Sequence, residues 1–274
     1  IMLGEFADQA TIARVTHEMG LDQPIYIQYF SWLGNMLQGN FGTSYFQNKP
    51  VLDILTSSFL VTAKLAGIAY ILAVVLGVVV GVVAAVNHGK WVDSVLMTIS
   101  VFGISAPAFW IAIILQIVIC LKFNLLPLSG IDSFKSFILP GIALGTRYAA
   151  SIARITRTSM LDVLSQDYIR TAEAKGLKGW VVTIKHALRN ALIPIITIAG
   201  SDLGNILTGS VLVESVFSIP GIGKMLVDSI NTRDLPIVQG GVMYIAVICV
   251  IMYLVVDLLY TVVDPRIRLG KESS

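Results

Sequence analysis

The stretch at residues 60–86, LVTAKLAGIAYILAVVLGVVVGVVAAV, is almost unbroken valine, leucine, alanine, isoleucine and glycine, with Lys64 its one charge. At about 1.5 Å per helical residue it is long enough to cross a hydrocarbon core of roughly 30 Å, so it reads as a membrane-spanning α-helix. Gly77 and Gly81 are four apart, which puts both on one face and lets a neighbouring backbone approach closely; helix packing is a simpler account of them than a ligand role. Lys64, near the outer end, has the reach to snorkel to the headgroups. The whole chain agrees with this reading. Hydrophobic residues make up 55% of it and charged residues only 13%, against about a quarter in soluble domains, and mean hydropathy is +0.81. A net charge of +2 without a basic groove excludes nucleic acid as a partner. Cys120 and Cys249 fall in apolar runs, where a thiol acts as a small hydrophobe, and no metal-ligand spacing is present.

Outward from that span, residues 1–59 have ordinary soluble character. The segment GLDQPIYIQYFSWLGNMLQGNFGTSY carries aromatics and turn-forming glycines, and is expected to form a small ordered cap outside the membrane. After residue 86, a polar turn at 87–94 leads to a second span at about 95–121, where Pro107 predicts a kink. Further spans are expected at about 138–156, 191–216 and 239–263, giving a transmembrane domain over 60–263 and a tail at 264–274. The lysines and arginines concentrate in one loop (Arg154, Arg157, Arg170, Lys175, Lys178, Lys185 and Arg189) and in the tail (Arg266, Arg268 and Lys271), which makes that side cytoplasmic. Five visible spans then leave residues 1–59 outside with nothing to carry them across. The expectation is an earlier helix ahead of Ile1, six spans in the intact protein, and both ends in the cytoplasm.

The cytoplasmic segment 157–190 contains the most charged part of the chain, continuing at 167–194 as DYIRTAEAKGLKGWVVTIKHALRNALIP. It reads as two short helices at a hinge. Asp167 at the start of the first suits the helix dipole, and Gly176 supplies a C-terminal stop. In the second, Trp180, Val181, Ile184, Ala187, Leu188 and Ala191 recur at helical spacing. An apolar stripe beside a basic one on a water-exposed loop is a docking element for a partner protein or for anionic lipid.

The search for catalytic chemistry returns nothing. His17, His88 and His186 are scattered, and HExxH, paired-cysteine and GxSxG patterns are absent. Gly221, Gly223 and Lys224 imitate the end of a phosphate-binding loop, but Ser218 replaces the first glycine and Met225 the Ser/Thr, so any nucleotide is expected on another chain. Ionisable groups at membrane depth remain: Arg147, Asp202 and Asp257. Asp202, with Asn205 and Thr208, lines a water-filled pathway or, alternatively, clamps helices together through Arg147. Asp257 reads as structural, and Glu214 as a second snorkelling residue.

These residues also carry a resemblance. DYIRTAEAKGL followed by KHALRNALIP resembles the cytoplasmic coupling motif of permease subunits in ATP-binding-cassette importers, in the dipeptide, oligopeptide, glutathione and nickel branch. GNFGTS, GISAPAFW, ARITRTSMLDVL, VFSIPGIGKMLVDSINTRDLPIVQG and DLLYTVVDPRIR extend the likeness along nearly the whole chain. Arg170, Thr171 and Ala172 stand where the wider superfamily has Glu-Ala-Ala, Gly176 matches, and Pro194 comes late, as in this branch. Glu173 stands where the branch frequently carries arginine.

The resemblance implies an all-α, polytopic importer permease of type I, forming half of a translocation pathway for a peptide, glutathione or a nickel complex. It implies ATPase coupling through Asp167, Tyr168, Arg170, Thr171, Ala172, Glu173, Ala174, Lys175 and Gly176, and no catalytic residue in this chain. ATP and magnesium would sit on two cytoplasmic ATPase subunits. The other implied partners are a second, homologous permease, an extracytoplasmic solute-binding protein and membrane lipid, in the inner (plasma) membrane of a prokaryote. The competing classes are a secondary transporter or channel, which would need internal repeats and an intramembrane charge relay, and a membrane scaffold that docks partners without moving solute.

Overall fold

A computed structural model describes residues 16–17, 20, 22–208 and 210–263. Among these the regular elements are all helical: α1 Ile25–Leu37, α2 Val51–Val86, α3 Trp91–Ser105, α4 Ala108–Leu115, α5 Ile138–Leu164, α6 Asp167–Ala174, α7 Arg189–Thr208, α8 Val211–Val216, α9 Ile222–Thr232 and α10 Leu235–Val263. The tail at 264–274 and the Asp257 side chain lie outside the described residues.

The chain divides into two units, residues 1–58 with 225–245, and residues 59–224 with 246–274. In the first, the backbone amide of Val51 donates to the Gly42 carbonyl (2.9 Å), which ties the loop after α1 to the first residue of α2. Asp234, 1% exposed, accepts hydrogen bonds from the Ser44 hydroxyl and the Tyr45 amide and so fastens the same loop to the turn before α10. The expected cap is therefore ordered over 22–58, and it takes in a second stretch far along the chain.

The second unit is organised around α5, which packs on α3, α4 and α7. Its buried face runs Leu139, Ala143, Leu144, Ala150, Ile152, Ala153 and Met160. The glycine reading holds: a Cβ on Gly77 would lie 2.7 Å from the Ala149 carbonyl oxygen, and one on Gly81 2.6 Å from that of Ala153. Gly145 of α5 faces the Ala69 carbonyl oxygen just as closely, at 2.7 Å. The small residues thus bring α2 and α5 to backbone contact. The opposite side of α2 exposes Ile71, Val75, Val79 and Val86, an apolar surface suited to lipid or another membrane helix.

The span count differs from the expected five. Three helices among the described residues are long and apolar enough to cross a membrane, at Val51–Val86, Gly179–Leu207 and Leu235–Val256, or four if a bent pair counts as one span. The bent pair is α3 with α4 and the following π-helical turn, where the chain turns by 107°. The kink expected at Pro107 is thus a full break, with extended backbone at Ala106 and Pro107 between two helices. The expected third span falls in α5, whose Arg147, Arg154 and Arg157 take it out of the apolar class; Arg147 and Arg154 are exposed, on the side away from its packed face.

Other boundaries also move. Helix α5 continues to Leu164, absorbing the first residues of the expected cytoplasmic loop. The second short helix of the hinge is no separate element: Gly179–Val181 and a π-helical stretch, Val182–Leu188, run directly into α7 with Pro194 inside it. The expected span at 191–216 is divided between α7 and the short separate helix α8, with a turn at Ser210.

Candidate functional site

The expected coupling segment is built on α6. Gln166 is extended, Asp167 opens the first turn, and Ile169 and Ala172 are buried against Met160, Val182 and Ala187. The other nominated residues, Asp167, Tyr168, Arg170, Thr171, Glu173, Ala174, Lys175 and Gly176, are exposed. Ala172 is thus an anchor for the helix and not part of its outer face. Gly176 ends α6 at φ +77°, with its amide on the Glu173 carbonyl (2.8 Å) and the Leu177 amide on that of Ala172 (3.4 Å). This pair of bonds is a Schellman stop, which requires the left-handed conformation that glycine adopts without strain.

Beyond Gly176 the chain exposes Leu177, Trp180 and Ile184, and Tyr168 adds a fourth partly exposed ring or chain on α6. The Asn190 amide nitrogen donates to the Tyr168 hydroxyl (3.1 Å), tying α6 to α7. The expected apolar stripe therefore splits: Ala187 and Ala191 turn inward, while Trp180 and Ile184 point outward. The ion pair of Arg170 with Asp167, at 3.9 Å between exposed groups, contributes little to stability.

The expected pathway residues part company. Asp202 is buried, and its Oδ2 has no hydrogen-bond partner among the described residues. Asn205, one turn on, is exposed and donates to the Ser201 carbonyl (3.3 Å). Thr208 is the last residue of α7, and its side chain lies outside the described residues. Arg147 is exposed, and no ion pair joins it to Asp202 among the described residues.

Two charged sites were not visible in the sequence. Arg157 grips Asp93 with two parallel hydrogen bonds, Nε to Oδ1 (2.6 Å) and Nη2 to Oδ2 (2.7 Å), while the Gly89 amide (3.2 Å) and His88 Nδ1 (3.2 Å) also reach Asp93 Oδ2. The Arg157 guanidinium holds the Asp93 carboxyl well below the usual carboxylate range. Glu214, expected to snorkel to the headgroups, is instead fully buried. Its Oε1 accepts from the Thr62 (2.7 Å) and Ser210 (2.8 Å) hydroxyls, and its Oε2 from the amides of Gly223 (2.9 Å) and Lys224 (3.1 Å). With that many donors available inside the protein, the carboxylate has no need of the headgroup region.

Long apolar helices brought together at glycines define a multi-helix membrane protein. Residues 77–269 match the family described as binding-protein-dependent transport system inner membrane component, and the chain belongs to it. It is 43% identical over 268 residues to the glutathione transport system permease protein GsiC of Salmonella choleraesuis, covering 98% of this chain and 88% of that one. GsiC of Escherichia coli K12 is 42% identical over the same coverage. Among solved structures, the inward-facing MetNI methionine ABC transporter aligns with TM-score 0.64 and 16% identity, covering 77% of this chain and 96% of that one. An amino acid ABC transporter crystallised with histidines aligns with TM-score 0.57 and 18% identity, over 78% and 94%. The fold is accordingly that of an ABC importer permease, and the chain is a permease subunit of such an importer.

Proposed function

We propose that this chain forms half of the conduit of an ATP-driven importer and docks α6 with the Gly176 elbow on a separate cytoplasmic ATPase. ATP binding by a pair of those ATPases pushes on α6; because the helix that starts at Gly179, just after the elbow, runs without a break into α7, the push is delivered to the helix that bears Asp202, Asn205 and Thr208. A second permease completes the conduit. The outer segment and the residues at 218–238 receive an extracytoplasmic binding protein, and the cargo is glutathione or a peptide of similar size. The observation that carries the coupling assignment is the Gly176 elbow, where a helix anchored by Ile169 and Ala172 presents its other face to solvent beside exposed Leu177 and Trp180. The cargo assignment rests on the names of the GsiC relatives.

Nothing crowds Gly176, so a substitution there acts through backbone conformation and not through a clash. Gly176→Val forces a β-branched residue into the left-handed region, at about 1–2 kcal/mol, whereas Gly176→Asn tolerates it. In proteoliposomes holding the complete transporter, Gly176→Val is expected to cut ATP-dependent uptake at least tenfold while the complex still co-purifies, with Gly176→Asn near wild type. Equal uptake by all three proteins would overturn the coupling assignment.

A further inference from the structure

Glu214 sits where three parts of the second unit meet. Thr62 belongs to α2, Ser210 directly precedes α8, and Gly223 and Lys224 lie in the first turn of α9. The Thr62 hydroxyl, which donates to Glu214, also accepts the Ile222 amide (2.8 Å), so side chain and backbone are cross-braced. Glu214, Thr62 and Ser210 are each at most 1% exposed. A buried carboxylate costs several kcal/mol unless donors replace its water; here two hydroxyls and two amides at a helix N-terminus do so.

The glycines of the intervening turn are shaped to this carboxylate. A Cβ on Gly221 would overlap the Glu214 carboxyl group, and one on Gly223 would lie 2.7 Å from the Val211 Cα and 2.9 Å from Glu214 Oε2. The glycine pattern that imitates a phosphate-binding loop is therefore the wall of a cradle already filled by the protein's own carboxylate. Its depth is informative too. Counting ~20 residues back from Val86 for the hydrocarbon core leaves Thr62 about 7 Å beyond its outer edge, at headgroup level.

We propose that Glu214 is the fastening of the outer mouth of the conduit: it binds the turn at 218–223 and α8 to the outer part of α2, so that these move as one rigid block through the transport cycle. Glu214 is thus a positioning residue, acting on transport through the turn it holds. The proposal rests on the importer reading above. Glu214→Gln keeps the side-chain volume but leaves one acceptor oxygen where there were two: its NH2 group faces either the Gly223 and Lys224 amides, donor against donor, or the Thr62 and Ser210 hydroxyls, which lose their acceptor. Thr62→Val removes the brace without charge, and Thr62→Ser keeps its hydroxyl.

The test uses the complete transporter in proteoliposomes, with uptake, ATP hydrolysis without cargo, and deuterium exchange of the 218–226 backbone measured together. Wild-type uptake that is independent of ATP would refute the importer reading itself, apart from this proposal. Given ATP-driven wild-type uptake, Glu214→Gln and Thr62→Val are expected to exchange the 218–226 amides at least tenfold faster, to lose uptake at least fivefold and to hydrolyse ATP idly, with Thr62→Ser close to wild type. Uptake within twofold of wild type, or unchanged exchange, in both Glu214→Gln and Thr62→Val overturns the proposal. If Glu214→Gln fails to assemble, the Thr62 pair decides by the same two readouts.

Discussion

Asp93 and Arg157, far apart in sequence, are joined by a two-pronged ion pair that ties the first turn of α3 to the C-terminal half of α5. Asp93 is almost fully buried and Arg157 mostly so, which lifts the pair out of the class of surface salt bridges. Asp93→Asn is expected to destabilise the protein by on the order of 3 kcal/mol, read as a lower melting temperature in detergent, because it leaves the guanidinium without its counter-charge. The pH dependence has a definite sign. Because the folded pKa is depressed, the pair's contribution is fully present above the unfolded value near ~4 and is lost only as pH falls through the lower folded value. Melting temperature should therefore show no loss from this pair between about pH 7 and 5, and a drop from it over that range would count against the clamp. In the sequence Arg157 was legible only as one more cytoplasmic positive charge, and Asp93 as part of a polar turn. A charge announces its depth through its neighbours in sequence, but its partner is announced only by packing.

At the scale of elements, composition and spacing carried most of the information. The apolar run at 60–86 is a helix, Gly77 and Gly81 are its contact face, Pro107 ends α3, and Gly176 ends α6. Each rests on a local rule: helix rise against bilayer thickness, loss of a side chain at a close approach, a missing amide, a positive φ. The contact face makes a sharp prediction. Even Gly81→Ala places a methyl group 2.6 Å from the Ala153 carbonyl oxygen, so α2 and α5 must separate, at about 1–3 kcal/mol. The drop should appear in melting temperature and in yield of folded protein, whereas Gly67→Ala, with open space around it, should be neutral. What the local rules missed is continuity. The hinge was read as two short helices because glycines and charges interrupt the apolar pattern, yet the π-helical turn at Val182–Leu188 carries the helix on into α7, past Pro194. Neighbouring helices hold such irregular backbone in place, and no window of sequence includes those neighbours.

For the whole molecule, the prediction concerns cargo and energy source together. Reconstituted with its partners, the permease should take up radiolabelled glutathione only when ATP is supplied inside the ATPase compartment, and unlabelled glutathione should compete better than an unrelated dipeptide or a nickel complex. Uptake driven by an ion gradient without ATP would instead favour a secondary transporter. The exposed apolar faces of α2 and α10 belong to this scale as well: Ile71, Val75 and Val79 on one, Val247, Val250 and Leu254 on the other, are surfaces that a single chain leaves for lipid or a second permease.

Sequence alone determined that this is a helical membrane protein and where its helices come closest, because hydropathy and the spacing of small residues are properties of the string itself. Only the tertiary structure decided what Glu214, Asp93, Gly221 and Gly223 do. A buried carboxylate is tolerable solely where donors from several elements converge, and that convergence is a fact of folded geometry.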